Sequence, residues 1–385
     1  MSNVTVRAFE PRDDEAFRHV RAMTFRGGEG VKPEEKLLRS DCLAYVGELD
    51  GEIVAATTVI DMTATLGQHA LRCAGLAAVA VLPEHRRSGI GTKLMNDVLP
   101  LLRAEGFALA SLYPYRGSYY RKFGYEYCGT RYQITCPVNR LPKIKSEPLP
   151  VRQLDADDRS QIYSCYETFA RRYSGMNLRK SEDQWWRVLG GDTPLQVYAV
   201  GNPVEGYIVL RLNSDFWETQ PVKEFAWNTR RAYDSLLTFF HSLAINKDNI
   251  EWREPGDSPF LTESHDPRVK VQVDRQIMYR IVDLPSVLKS VPTVSEGEFS
   301  VAAQDNAIPE NNGAWHVCFQ PEAVHVEKTS NAKMALSIGQ LTQAALGEPS
   351  LAELASNNVP CGPQEDIEQA TRFFGSRRTY CTDFF

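Results

Sequence analysis

The sequence predicts a mixed α/β (α+β) fold in three consecutive parts, and three observations carry that expectation. An apolar strand, a basic glycine loop and an amphipathic helix follow one another from Gly75 to Leu102. The strand and helix patterns of the first 145 residues are echoed faintly after a Pro- and Lys-rich segment. Beyond Pro285 the pattern changes to strands followed by helices. At 385 residues the chain exceeds what one core comfortably sustains, so two or three domains are expected.

The first part opens with a strand at Val4–Phe9 and a helix near Asp13–Phe25. A hairpin of Cys42–Leu49 and Glu52–Met62 turns at Asp50-Gly51, a dipeptide suited to tight reversal. The strand Gly75–Leu82 is closed by Pro83. Leu94, Met95, Val98, Leu99 and Leu102 then recur at helical spacing. A strand at Phe107–Tyr113 and a strand pair around Glu126–Val138 complete the part. Leu141 to Pro150 reads as a linker. The second part runs from Val151 to about Leu284, and its opening Val151-Arg152-Gln153-Leu154-Asp155 echoes Val6-Arg7-Ala8-Phe9-Glu10, which hints at a degenerate duplication. The third predicts strands at Phe299–Ala303, Trp315–Phe319 and Ala323–Lys328, then helices at Ile338–Leu346 and Asp366–Phe374. The expected domains are therefore residues 1–145, 146–284 and 285–385.

The loop Glu84-His85-Arg86-Arg87-Ser88-Gly89-Ile90-Gly91-Thr92 between strand and helix is an anion site by construction. Unpaired N–H groups at a helix N-terminus carry partial positive charge, and glycine admits a pyrophosphate closely. Arg86 and Arg87 add full charges. A Walker loop needs Lys-Ser/Thr after its last glycine, whereas here the order is Gly91-Thr92-Lys93. A dinucleotide fingerprint needs three glycines, and only Gly89 and Gly91 fall in the loop. The remaining pattern, Arg86-x-x-Gly89-x-Gly91, resembles the acyl-coenzyme A loop of the GCN5-related N-acetyltransferase (GNAT) superfamily. The second part lacks it: Arg187-Val188-Leu189-Gly190-Gly191-Asp192 misses the final glycine and follows a helix. One cofactor site per chain is expected.

Composition narrows the class. Forty-three Lys and Arg against 49 Asp and Glu give a net charge of −6, which disfavours nucleic acid and mildly favours cationic partners. No apolar run reaches the length of a membrane span, and the N-terminus does not read as a signal peptide. Eight scattered cysteines without a C-x-x-C pair suit reduced thiols in a cytoplasm, and no metal is expected. Trp185, Trp186, Trp217 and Trp227 are expected in a core or interface rather than on a ligand.

Two further segments point to chemistry. Acetyl transfer from a thioester to an amine needs a base for the ammonium and an acid for the departing thiolate. Tyr113, Tyr115, Tyr119 and Tyr120 supply candidate acids, since a phenol titrates near ~10. The chain ends Thr382-Asp383-Phe384-Phe385, and exposed terminal phenylalanines would be a liability. Phe373, Phe374, Tyr380, Phe384 and Phe385 are expected to fold back into one apolar pocket, drawing the terminal carboxylate inward. Asp383 is read either as holding a cation there or as structural.

The loop His85-Arg86-Arg87-Ser88-Gly89, the element Tyr120-Arg121-Lys122-Phe123-Gly124-Tyr125 and the terminal phenylalanine together resemble the enhanced intracellular survival (Eis) family of N-acetyltransferases. The resemblance implies two tandem GNAT-like domains, the second without cofactor, followed by a sterol-carrier-protein-like domain. It implies acetyl-CoA as cosubstrate and a homohexamer. It makes Tyr120 the general acid and the Phe385 carboxylate the general base. Backbone at Val79, Ala80 and Val81 would pair with the pantetheine arm. Arg87, Ser88, Gly89, Ile90, Gly91 and Thr92 would cradle the pyrophosphate with Arg86 beside them, and Tyr115 and Arg116 would add a further cofactor contact. The helical region Asp13–Pro33 is expected to wall the acceptor pocket. Acceptors are expected to be polycationic amines, aminoglycosides first, with lysine side chains or polyamines behind. Burial of the terminal carboxylate among Phe373, Phe374 and Phe384 is expected to raise its pKa. A lipid carrier with a vestigial acetyltransferase site is the rival, in which Met334, Leu336, Ile338, Leu341, Ala345 and Leu346 line a tunnel rather than a core.

Overall fold

A computed structural model describes residues 4–31, 35–144, 147–190, 195–211, 218–243, 247–263, 266, 268–275 and 277–385. It divides into two compact units that do not follow chain order. One comprises Met1–Cys128, Gln276–Ser376 and Phe384–Phe385; the other comprises Gly129–Arg275 and Arg377–Asp383.

In the first unit a seven-stranded sheet runs in the order Val4–Ala8, Cys42–Leu49, Glu52–Leu66, His69–Val81, Leu109–Leu112, Met278–Ile281 and Glu126–Tyr127. All neighbours are antiparallel except His69–Val81 and Leu109–Leu112, which are parallel. That parallel step needs a crossover, which the helix Ile90–Ala104 supplies. Its Leu94, Met95, Val98, Leu99 and Leu102 are buried, as their spacing predicts. The helix Asp14–Phe25 buries Phe17, Val20 and Ala22.

The second unit repeats this arrangement. Its order is Val151–Leu154, Leu195–Val200, Gly206–Arg211, Thr219–Trp227, Asn249–Pro255, Arg131–Pro137 and Lys270–Asp274. Thr219–Trp227 and Asn249–Pro255 form its parallel step. Four antiparallel strands, a parallel fifth and two antiparallel strands recur in the same order, which is the architecture the faint echo at Val151 anticipates. The exchange of strands is not anticipated. Arg131–Pro137, expected with residues 1–145, pairs with Asn249–Pro255, and Met278–Ile281, expected with 146–284, pairs with Leu109–Leu112. Met278–Ile281 is only four residues long, and its Arg280 is a buried cation paired with Asp305 and donating to the Phe123 carbonyl. Such a segment carries little hydrophobic signature.

Also in the second unit, Arg179 is buried against Glu224 at 2.5 Å and against Asp383. Glu224 also accepts from the Tyr207 hydroxyl at 2.8 Å. Asp383 further accepts from Asn177 at 2.9 Å, so this residue is structural. Trp185 and Trp227 are buried in this unit's core, whereas Trp186 is 48% exposed on the same helix as Trp185. Trp217 and the Gly191-Asp192 pair lie outside the described residues.

The rest of the first unit is a four-stranded sheet in the order Ala323–Thr329, Gly313–Gln320, Gly297–Gln304 and Met334–Ser337. Phe299, Val301, Ala303, Trp315, Val317 and Phe319 face inward in strict alternation, as the pleat requires. Helices Ile338–Leu346, Leu351–Ser356 and Gln364–Phe374 follow. The first starts at a capping box of Ser337 and Gln340. Met334, Leu336, Ile338, Leu341, Ala345 and Leu346 are all buried members of one core. Phe373 and Phe374 pack there against Phe299, and Phe373 also against Phe319. Tyr380 is instead buried in the second unit. The five aromatic residues therefore do not share one pocket, because Gln364–Phe374 spends its own pair on the helix–sheet interface.

Candidate active site

The site begins with a register fault. Along most of its length His69–Val81 pairs residue for residue with Glu52–Leu66, but Thr57 alone faces both Ala78 and Val79. Ala78 takes a left-handed conformation at φ 50°, and the Thr57 hydroxyl holds the Ala77 carbonyl at 3.1 Å. A bulge of this kind bends its strand away from the neighbour. Accordingly the parallel pairing with Leu109–Leu112 covers Cys73 to Leu76 and stops there. Past Leu76 the strand keeps its partner on one side only, with Ala80 opposite Ala56 and Val81 opposite Ala55. Its other edge offers amide groups from Val79, Ala80 and Val81 to an extended ligand. Ala80 itself is buried, while Val79 and Val81 border the opening.

The loop that follows is shaped for an anion. Pro83–His85 forms a short turn, Arg87 and Gly89 adopt left-handed φ of 62° and 92°, and the helix starts at Ile90. Gly89 is the N-cap and makes no side-chain cap. The first-turn N–H groups are left for a ligand to satisfy. Arg86 donates from Nε to the Val81 carbonyl at 3.0 Å, and Ser88 donates to the His85 carbonyl at 2.5 Å. A Cβ added at Gly91 would meet the Tyr119 hydroxyl at 3.1 Å, so glycine keeps this surface low. A cavity of about 600 Å³ lies over the loop and includes Arg86, Arg87, Gly89, Gly91, Thr92, Tyr115 and Arg116. Lys122, from the element Tyr120-Arg121-Lys122, also faces it and adds a further cation. Four full positive charges around glycine-lined backbone fit the polyphosphate end of coenzyme A.

A second cavity of about 560 Å³ adjoins the fault and shares Val81, Arg86, Gly91, Tyr115 and Tyr119 with the first. Thr24, Phe25, Leu112, Tyr113, Tyr120 and Phe385 complete much of its wall. Thr24 and Phe25 end the helix that was expected to wall the acceptor pocket; residues 32–34 lie outside the described set. Tyr120 is buried, and its ring meets Tyr119 and Tyr125 edge-on at 5.1 and 6.3 Å. Burial, reinforced by Tyr119 and Tyr115, pushes its phenol up to about 12. Tyr119 is raised by burial too, but its hydroxyl bonds Thr92. Tyr115 is 85% exposed at the rim.

The terminal pair is split. Tyr113 takes Phe384 and Phe385 at ring separations of 4.7 and 5.4 Å. Phe384 nevertheless remains 71% exposed, while Phe385 borders the cavity. Gly75 makes this possible: a Cβ there would press on the Phe385 ring and on Met62 Sδ, each at 3.1 Å. Phe373 and Phe374 are not found around the terminus as expected: they make their ring contacts with Phe299, Phe319 and each other, whereas Phe384 and Phe385 make theirs with Tyr113. The rings expected to desolvate the terminal carboxylate are thus packed against Phe299 or, in the case of Phe384, exposed.

The chain matches two models described as acetyltransferase (GNAT) domains, over residues 5–128 and 175–281, which together span more than half of it. Residues 284–382 match a sterol carrier protein domain. Relatives include the N-acetyltransferase Eis of Mycobacterium tuberculosis, 24% identical over 302 residues, covering 73% of this chain and 74% of that one. The chain belongs to the Eis-like GNAT acetyltransferases. An uncharacterized N-acetyltransferase of Streptomyces coelicolor is 25% identical over 346 residues, covering 83% of both chains. In fold, Eis1 from Mycobacterium abscessus superposes with a TM-score of 0.81 at 21% identity, covering 99% of this chain and all of that one. A probable N-acyltransferase from Enterococcus faecalis does so at 0.89 and 20% identity, over the whole of both chains. This Eis-like chain is an acyltransferase that carries out acetyl transfer, with two GNAT domains preceding a sterol-carrier-like one. Among the described residues, no helix is long and apolar enough to cross a membrane.

Proposed function

We propose that acetyl-CoA spans both cavities, its polyphosphate in the first and its arm along Val79 to Val81 in the second, where Tyr120 and the Phe385 carboxylate serve transfer of the acetyl group to a primary amine. The observation that carries this reading is the meeting of Val79, Val81, Tyr120 and Phe385 on one cavity that opens at the strand fault. When bound, acetyl-CoA supplies the thioester carbonyl and a thiol leaving group. The phenol of Tyr120, raised by burial, stays protonated through the physiological range and donates to the departing sulfur. The carboxylate of Phe385 accepts the proton that the ammonium loses. Pairing of the bound amides with the open edge at Val79 to Val81 orients the arm without a side chain.

The acidic balance of the chain favours cationic acceptors, and aminoglycosides follow from the Eis likeness. The cavity wall narrows this. Its lining is Thr24, small aliphatic residues and aromatic rings, with Arg86 as its charged side chain and no Asp or Glu among the described residues. A polycation desolvated there would leave most of its charges unpaired. One ammonium facing tyrosine rings is accommodated by the ring quadrupole. An amine with one charge and an apolar or aromatic body therefore suits this wall better than an aminoglycoside. Steady-state acetylation of a panel tests the choice: arylalkyl monoamines, polyamines, aminoglycosides and lysine peptides. Higher kcat/KM for aminoglycosides than for arylalkylamines refutes the acceptor class, and absence of turnover on every amine refutes the assignment. The hexamer implied by the resemblance belongs to the same proposal, and sedimentation velocity tests it.

A further inference from the structure

The outward face of the C-terminal sheet carries a cluster that acetyl transfer does not use. Strands Gly297–Gln304, Gly313–Gln320 and Ala323–Thr329 lie side by side and antiparallel. Their register sets Glu298 directly opposite Cys318, Cys318 opposite His325, and His316 opposite Glu327. Inward neighbours Phe299, Val317 and Phe319 are buried, so the pleat turns these polar residues to the other face. His316 and Cys318 sit two apart on one strand, on the same face, and the strand register brings Glu298 to them from a neighbouring strand.

We propose that Cys318, His316 and Glu298 form a site for a borderline-soft divalent cation of the zinc class. Their donor atoms already stand near coordination spacing. His316 Nε2 is 3.4 Å from Glu298 Oε2 and 3.9 Å from Cys318 Sγ, and Sγ is 3.7 Å from the same Glu298 oxygen. With metal–sulfur bonds of about 2.3 Å and metal–nitrogen or –oxygen bonds of about 2.0–2.1 Å, the edges of a tetrahedron are about 3.3–3.6 Å. Cys318 Sγ lies almost equally far from His316 Nδ1, at 3.8 Å, so closing the triangle takes a turn of the imidazole that brings Nε2 toward the thiol as well as a contraction of a few tenths of an ångström. Thiolate, imidazole and carboxylate together suit zinc or cobalt and not calcium or magnesium, which take oxygen alone.

The other ring nitrogen strengthens the assignment. His316 Nδ1 lies 3.7 Å from Glu327 Oε1, on the strand opposite. A carboxylate behind a ligating imidazole fixes its tautomer and raises its basicity. As a surface ion pair alone the arrangement contributes little, because exposed pairs are screened by solvent and salt. Three ligands leave one position for water. His325, next to Cys318 in register, is the side chain placed to approach it.

Cobalt titration of the full-length chain tests the site, because a cobalt–thiolate bond gives a near-ultraviolet charge-transfer band and tetrahedral cobalt gives intense visible bands. One equivalent of Co2+ is expected to produce both, and Zn2+ to displace them. Cys318→Ser is expected to abolish the ultraviolet band, although Cys361 is also exposed and Cys42 partly so. Glu327→Gln is expected to keep the spectrum but weaken binding about 10- to 100-fold. Acetyl transfer by Cys318→Ser reports that the variant is folded. No charge-transfer band in the wild type, or an undiminished band in folded Cys318→Ser, overturns the proposal.

Discussion

Replacing Tyr120 by Phe isolates the proposed acid from the architecture that holds it. The ring contacts with Tyr119 and Tyr125 involve faces and edges that Phe retains. The hydroxyl has no hydrogen-bond partner within the chain among the described residues, so its removal orphans no buried group. Stability is therefore expected to change by less than about 1 kcal/mol. Catalysis is another matter. A positioned general acid contributes about 10²- to 10⁴-fold, or about 3–5 kcal/mol of barrier. The sign of the pH dependence follows from the raised phenol: at about 12, Tyr120 is protonated at every pH an assay can use, and it imposes no descending limb below about pH 11. The assay is acetyl-CoA consumption under saturating amine from pH 6 to 10, with thermal melting as the fold control. Tyr119→Phe serves as the comparison, since that variant loses a bond to Thr92 instead. A Tyr120→Phe enzyme with unchanged kcat and an unchanged melt refutes the acid role. A kcat loss equalled by Tyr119→Phe would reassign the effect to the shared aromatic wall.

Two further tests address the terminus and the second unit. One alanine appended after Phe385 displaces the carboxylate by up to ~3.5 Å; turnover should fall about 10²-fold while coenzyme A affinity, read by calorimetry, is retained. Equal turnover would remove the terminus from the mechanism. Glu254 is fully buried, and desolvation pushes it from its ordinary 4.5 up to about 7 despite bonds from Trp252 and Tyr233. Between those values the folded chain holds the proton more firmly than the unfolded one. Stability from this group is thus present below pH 4.5 and lost as pH rises to about 7, a decline of about 3 kcal/mol. Urea unfolding of the wild type against Glu254→Gln should show that extra slope, and parallel profiles would contradict it.

The parts of the site that were legible in the sequence are local. The loop from Arg86 to Thr92 lies between a strand and a helix only a few residues away, and its glycines carry their reason with them. The helix Ile90–Ala104 shows its buried face in its own spacing. The partnership of Met278–Ile281 with Leu109–Leu112 is not local, and Arg280 hides it by placing a charge where an apolar residue would have signalled burial. The terminal aromatics show the complementary failure. Composition says that Phe373, Phe374 and Phe385 need shelter, but not which shelter each receives. Gly75, which leaves room for the Phe385 ring, read simply as the start of a strand. Lys122 was visible as a charge beside Tyr120, yet only the fold brings it over the loop.

The fault at Ala78 has a consequence for how this protein can change. A groove cut by setting two residues against one cannot be narrowed gradually, because strand pairing advances in whole residues. Deleting Ala78 would restore an even ladder, with Val79 facing Thr57 while Ala80 and Val81 keep Ala56 and Ala55, and would remove the bend that opens the groove. Side-chain substitutions around the groove leave that count untouched. The wall can therefore be repainted for many acceptors, while the capacity to hold an acyl carrier is kept as an integer in the backbone.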